Sequence, residues 1–253
     1  MTARFDDRVV LLTGGGGAIA RAVARDFADR GATVVLAGRD PDRLAAAAES
    51  IPPGAGGIDR ITVDVTDPDQ VAAAVATVVS RHGGLHVAVN NAGIFGRSTP
   101  LGDLDDETWH AVLAVNVTGV FLSMKHEIAH MRSHGGGVIV NVASNIGAHT
   151  RRAGTAAYAA SKAAVSALSR AAARDHIADG IRINAVSPGA TDTPMSFRPG
   201  ETRADRDGRV ATVVPAGRVA EPAEIAAAVV WLASDDARFV VGHDLVVDGG
   251  ATA

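Results

Sequence analysis

With 253 residues, 47% of them hydrophobic, and a net charge of −4, the chain can bury a substantial core and lacks the basic excess that binds nucleic acid or an anionic membrane surface. It has no cysteine, which excludes disulfides, thiolate metal sites and cysteine nucleophiles. Asp6 and Asp7 precede an apolar run of only residues 9–12; neither a leader nor a membrane span is expected, no metal centre is read, and a cytoplasmic protein is the default.

The run at 9–12 is aliphatic and β-branched, stops at Thr13 and the glycines 14–17, and gives way to helical periodicity from Ala18. Strand, glycine turn and helix in that order make a phosphate cradle: glycine lets the backbone approach a ligand closely, and unpaired N–H groups at a helix start attract anions. A second strand at 33–37 ends at Gly38, Arg39 and Asp40, where a dinucleotide fold reads the adenosine ribose. An acid there takes a 2′-hydroxyl, whereas an arginine takes a 2′-phosphate. Arg39 therefore favours NADP(H), with NAD(H) the alternative if Asp40 is the reader; Asp40 also suits the N-cap of the helix that follows.

A loop at 52–57, a third strand at 61–65, a helix at 69–82 and a fourth strand at 86–90 continue the alternation, which calls for right-handed crossovers and a parallel sheet. From Asp105 a long helical pattern carries Asn116 on an apolar face; a buried amide needs partners, and a structural bond between helices is the plain reading. Strand five, at 137–142, delivers Ser144 at its carboxyl end, where open α/β sheets place ligands. Tyr158 and Lys162 then lie four apart on one helical face. A tyrosine pKa near ~10 is too high for proton exchange at neutral pH, but a unit charge ~4 Å away at an effective dielectric of ~20 is worth ~4 kcal/mol, or ~3 pKa units. Strand six at 181–186, a polar stretch at about 190–215 expected to be a mobile loop over the site, a helix at 222–233 and a last strand at 244–247 complete about seven strands in one domain, 1–253. Arg218 and Glu221 are read as fold positions.

Thr13-Gly14 with its glycine loop, Asp64, Asn90-Asn91-Ala92-Gly93, Asn116, Ser144, Tyr158 with Lys162, Pro188-Gly189 with Thr193, and Asp248-Gly249-Gly250 together resemble the short-chain dehydrogenase/reductase family of the short type, over nearly the whole chain. The resemblance implies a Rossmann-like, doubly wound parallel sheet and an oxidoreductase moving a hydride between a nicotinamide cofactor and a small-molecule carbonyl or secondary alcohol. By position, Tyr158 would be the acid/base, Lys162 would lower its pKa and bond the nicotinamide ribose, Ser144 would hold the substrate oxygen, and Asn116 would position a water in a relay ending at Lys162. Gly14, Gly16, Gly17, Ala18 and Ile19 would line the cofactor, Asp64 and Val65 its adenine, Asn90 with Ala92 and Gly93 the adenosine side, and Pro188, Gly189, Thr191 and Thr193 the nicotinamide side. Family members are usually homotetramers, less often dimers. One departure stands out: Ala18 and Ala20 occupy the last two glycine positions of the family's loop; a Cβ at 18 would crowd the cofactor or a turn that wants positive φ, with Gly17 to supply the missing freedom, so binding is expected to survive with a shifted loop or altered affinity. The rivals are a halohydrin dehalogenase, which Lys162 and the glycine loop oppose, and a cofactor-binding regulator without turnover, which has no need of the full set of four polar residues.

Overall fold

The computed structural model describes residues 3–253. Among them, seven strands form one sheet: β1 (Val9–Thr13), β2 (Thr33–Gly38), β3 (Ile58–Thr62), β4 (Val87–Asn90), β5 (Gly137–Val142), β6 (Ile181–Pro188) and β7 (Asp244–Val247). Their order is β3-β2-β1-β4-β5-β6-β7, and every neighbouring pair is parallel. The chain thus reverses its direction of winding between β1 and β4, and the crevice at that switch is where such sheets bind ligands.

Both faces of the sheet are covered, as a parallel sheet requires. Val10 and Leu12 of β1 point to one face with Phe27 of α1 (Ala18–Asp29) and with Ile225 and Val229 of α9 (Pro222–Ala233). Val9 and Leu11, one step out of phase, point to the other with Val71 of α3 (Pro68–His82), Val120 of α5 (Gly119–Ser133) and Val165 of α7 (Ala156–His176). Burying each such side chain contributes ~1.5–3 kcal/mol. Asp40 caps α2 (Pro41–Glu49) by accepting from the backbone N–H groups of Asp42 and Arg43, each at 3.0 Å.

Three elements differ from the sequence expectation. The third strand runs over Ile58–Thr62 rather than 61–65, because register with β2 pairs Val34 with Ile58 and Gly38 with Thr62. The long helix from Asp105 is α4 (Asp106–Leu113) and α5 joined by a π turn over Ala114–Thr118, centred on Asn116. The stretch expected to be a mobile loop contains α8 (Arg203–Ala211), started by a capping box between Thr202 and Asp205 and anchored by the buried Arg206, which pairs with Asp192 and Asp207 and stacks 4.5 Å from the Phe197 ring. Arg218 pairs with Glu224, and Glu221 shares a capping box with it at the start of α9, as fold positions.

Candidate active site

Two adjoining cavities, of 530 and 680 Å3, lie along the carboxyl ends of the strands and share Ile19, Asn91, Gly93, Thr193 and Met195. The larger one is floored by the glycine loop. Gly14 sits at φ +67, and a Cβ there would stand 2.9 Å from the Ala92 Cα, so only glycine allows β1 and the end of β4 to approach this closely. Gly16, Gly17 and Ala18 line the same cavity. Gly17 is the N-cap of α1 without a side-chain bond, and the first turn holds no acid. The helix start therefore keeps its N–H groups and positive dipole end for an anion. Ala18 is the first residue of α1, and the one non-glycine residue with positive φ among those described is Asp7. The turn is not crowded at position 18: it is made at Gly14, and Ala20 packs in the core. These residues fit a dinucleotide.

At the ribose end Gly38, Arg39 and Asp40 line the cavity, joined by Arg43, which sequence reasoning missed; its place in the first turn of α2, three residues past Asp40, was the available signal. Asp40 is committed to its cap, while neither guanidinium has an ion-pair partner among the described residues. Val65 lines the cavity, but Asp64 does not; its carboxylate accepts from the backbone N–H and the hydroxyl of Thr66 at 2.9 and 2.8 Å.

Asn90 requires a correction. Its side chain is buried on the far side of the sheet end, donating to Glu127 Oε2 and to Asn141 Oδ1, each at 3.0 Å. Successive residues leave a strand on opposite faces, so the next residue, Asn91, is the one that lines both cavities. It bonds the carbonyl of Thr13, while the Thr13 hydroxyl accepts from the N–H groups of Asn91 and Ala92 at 3.1 and 3.2 Å.

The smaller cavity holds the reactive groups. Ser144 lies two residues past the end of β5 and caps the short, kinked α6 (Asn145–Ala148), its Oγ accepting from the Ile146 N–H at 3.1 Å. Gly147, at φ +138, lets that turn lie on α7; a Cβ there would stand 2.8 Å from the Ala163 nitrogen. Ser144 and Tyr158 thereby face the same cavity with Lys162, and all three are buried. Pro188, Gly189, Thr191 and Thr193 line it from β6 onward. Burial pushes the Tyr158 phenol up, and the Ser144 hydroxyl pulls it partly back. The Lys162 ammonium is pushed down to about 8 by burial. It donates to the Val142 carbonyl at 2.7 Å and lies 5.9 Å from the centre of the Tyr158 ring. Burial is the largest influence on the phenol, and its net shift is upward.

Asn116 is fully buried. Its Oδ1 accepts from the Ile94 N–H at 2.8 Å, and its Nδ2 donates to the Ile94 carbonyl at 2.9 Å and to Ser161 Oγ at 3.0 Å. Both amide protons are engaged, so the side chain braces the strand end against α7 and does not donate toward Lys162. Asn145 and Asp248, bonded at 3.2 Å, tie the Ser144 turn to the C-terminal segment.

The model of the family described as Enoyl-(Acyl carrier protein) reductase matches residues 16–252. A cis-4-hydroxycyclohexanecarboxylate dehydrogenase of Sinomonas cyclohexanicum is 42% identical over 254 residues, covering 100% of each chain. The chain belongs to the short-chain dehydrogenase/reductase family. Among solved structures, a short-chain type dehydrogenase/reductase from Mycobacterium ulcerans superposes with a TM-score of 0.93 at 34% identity, covering 98% of this chain and 91% of that one. Levodione reductase does so with a TM-score of 0.92 at 36% identity, covering 98% and 99%. As a short-chain dehydrogenase/reductase, the protein is an oxidoreductase that transfers a hydride between a nicotinamide cofactor, NAD or NADP, and an alcohol or ketone. Among the described residues no helix is long and apolar enough to cross a membrane, and no cluster suited to a metal ion is found.

Proposed function

We propose that the chain is an NADP(H)-preferring dehydrogenase of a small cyclic secondary alcohol or its ketone, with Tyr158 as general acid and base. The observation that carries this reading is the burial of Ser144, Tyr158 and Lys162 in one cavity that opens onto the glycine cradle. The ring is suggested by the hydroxycyclohexane in the name of the 42% identical relative and by an apolar cavity wall that includes Phe95, whose ring lies 4.7 Å from that of Tyr158.

When bound, the nicotinamide supplies or accepts the hydride. The chain does the rest. Ser144 Oγ holds the substrate oxygen beside the phenol, and in reduction Tyr158 Oη gives it a proton. Lys162, a cation below a pH of about 8, stabilises the phenolate left behind and bonds the nicotinamide ribose. Asn116 fixes the spacing between α7 and the strand end. A neutral buried phenol is the acid that reduction needs, whereas oxidation needs its conjugate base. Oxidation should therefore rise steadily from about pH 6 to about pH 10, while reduction changes little between about pH 6 and about pH 8. An oxidation rate flat across that range would count against Tyr158 as the base.

The preference for NADP(H) rests on Arg39 and Arg43, two guanidinium groups at the ribose end with Asp40 withheld in its cap. Fluorescence titration should give NADPH the tighter binding, and replacing both arginines by alanine should lower the NADPH-to-NADH affinity ratio by roughly 10- to 100-fold, as expected for losing charge-assisted bonds to a phosphate. A wild-type protein that favours NADH would hand the ribose contact to Asp40. A homotetramer, or a dimer, in the cytoplasm completes the reading; exposed Phe121 on α5, Trp231 on α9 and Phe239 and Val241 just before β7 supply apolar surface for such contacts.

A further inference from the structure

The smaller cavity has a polarity that hydride transfer does not require. Ser144 and Tyr158 share its lining with Arg151, Arg152, Arg198 and Arg209. The same lining includes the apolar Ile146, Met195 and Val213.

The arginines of this region fall into two groups. Arg203 and Arg206 pair with Asp192, and Arg206 also with Asp207. Arg209 pairs with Glu201, whose second oxygen also accepts from the Arg198 backbone N–H at 2.8 Å. Those partners hold the Glu201 carboxyl down at about 2. The local acids are thus engaged, and the side chains of Arg151, Arg152 and Arg198 have no ion-pair or hydrogen-bond partner among the described residues. They also crowd one another. Burial, then the charges of Arg198 and Arg209, push the Arg152 guanidinium below its ordinary value, and Glu201 alone opposes this. The side chains of Arg151, Arg152 and Arg198 are exposed and line the cavity together. The Thr155 hydroxyl bonds the Arg152 carbonyl at 2.7 Å, and the Thr99 N–H bonds the Gly154 carbonyl at 3.1 Å, fixing the Arg151–Arg152 corner from both sides. Like charges held together beside a cavity, in a chain of net charge −4, await an anion.

We propose that Arg152 and Arg198 form a subsite for a carboxylate at the end of the substrate remote from the reacting carbon, so that the substrate class is a hydroxy acid or keto acid with an apolar body between its two polar ends. A planar carboxylate suits guanidinium forks. A substrate of that shape would keep its carboxylate away from Tyr158, where a second negative charge would oppose formation of the phenolate. This inference rests on the reading of the site as a ketone reductase and adds the recognition element to it.

The test compares 4-oxocyclohexanecarboxylate with 4-oxocyclohexanecarboxamide, which keeps the shape and loses the charge, as substrates of the full chain with NADPH and with NADH. The expected result is a kcat/KM at least ~10-fold higher for the acid, and a fall in that ratio of ~10-fold or more, mainly through KM of the acid, in an Arg152→Gln/Arg198→Gln variant. Calorimetric titration of the cofactor-saturated protein with cyclohexanecarboxylate gives a readout without turnover: binding in the wild type that weakens in parallel in the variant. Equal use of acid and amide by the wild type, or a variant that keeps the preference, would overturn the carboxylate subsite and leave the reductase reading standing. Turnover of neither ketone with either cofactor would overturn that reading and this inference with it.

Discussion

Replacing Tyr158 by phenylalanine is expected to lower kcat for ketone reduction by ~10²- to 10⁴-fold, the usual contribution of one positioned general acid. The ring stays, and with it the contact with Phe95 at 4.7 Å and the packing of α7; only the proton that must reach the substrate oxygen is lost. Because Tyr158 is the one tyrosine in the sequence, no neighbouring phenol can take over. Cofactor affinity should change far less than kcat, because on the proposed reading the glycine loop and the ribose-end arginines carry most of it. Single-turnover kinetics beside a cofactor titration separate the two, and a variant that still reduces ketone within a few-fold of the wild-type rate would end the case for Tyr158 as the acid.

The second large effect lies away from the cavity, at Glu127. This carboxyl is buried in α5, its Oε1 has no partner, and the Oδ1 of Asn90 beside it has none either. Burial lifts its pKa from an ordinary 4.5 to about 7. A proton on Oε1 would let it donate to the orphaned amide oxygen while Oε2 goes on accepting from Asn90 Nδ2. The sign follows from linkage. Between about pH 4.5 and about pH 7 the folded chain keeps a proton that the unfolded chain has lost, so stability falls as pH rises through that window and stays lost above it. At about 1.4 kcal/mol per pH unit the loss is up to ~3 kcal/mol. Glu127→Gln supplies the missing donor without a charge. Its Tm should exceed that of the wild type by on the order of 6–10 °C at about pH 8, with the gap closing toward about pH 5. Thermal melts across that range check it: a gap independent of pH would mean that Glu127 is not the group that titrates.

What was legible in the sequence, and what was not, follows from where the signals come from. β1, β2, β5 and β6 are aliphatic because both sheet faces are covered, and their runs can be read directly. β3 lies at the sheet edge, where Ile58, Asp59, Arg60, Ile61 and Thr62 show no run and no clean alternation; its position is set by pairing with β2, a tertiary fact. The segment from 203 to 211 looked like loop because its side chains are charged, yet the structure folds it as α8 around the buried Arg206; Thr202 followed three residues later by Asp205 was a start signal worth weighing. Spacing put Tyr158 and Lys162 on one helical face and the family resemblance added Ser144; all three line one cavity. The exchange of Asn90 for Asn91 was not foreseeable in the same way. Motif likeness gives a pair of asparagines, whereas the parity of the strand decides which of them faces the ligand.

The reversal of winding between β1 and β4 makes the cofactor a tie between two parts of one chain. Residues before the crevice supply the cradle and residues after it supply Tyr158 and Lys162, while the Thr13 hydroxyl bridges them with single hydrogen bonds. A dinucleotide lying across that line binds the assembled sheet and has little to hold in a partly opened one. At a concentration about 100 times its dissociation constant it adds ~2.7 kcal/mol to folding. The cofactor is therefore expected to act as a fold stabiliser as well as a reactant, raising the melting temperature and the resistance to proteolysis of the saturated protein over the cofactor-free one.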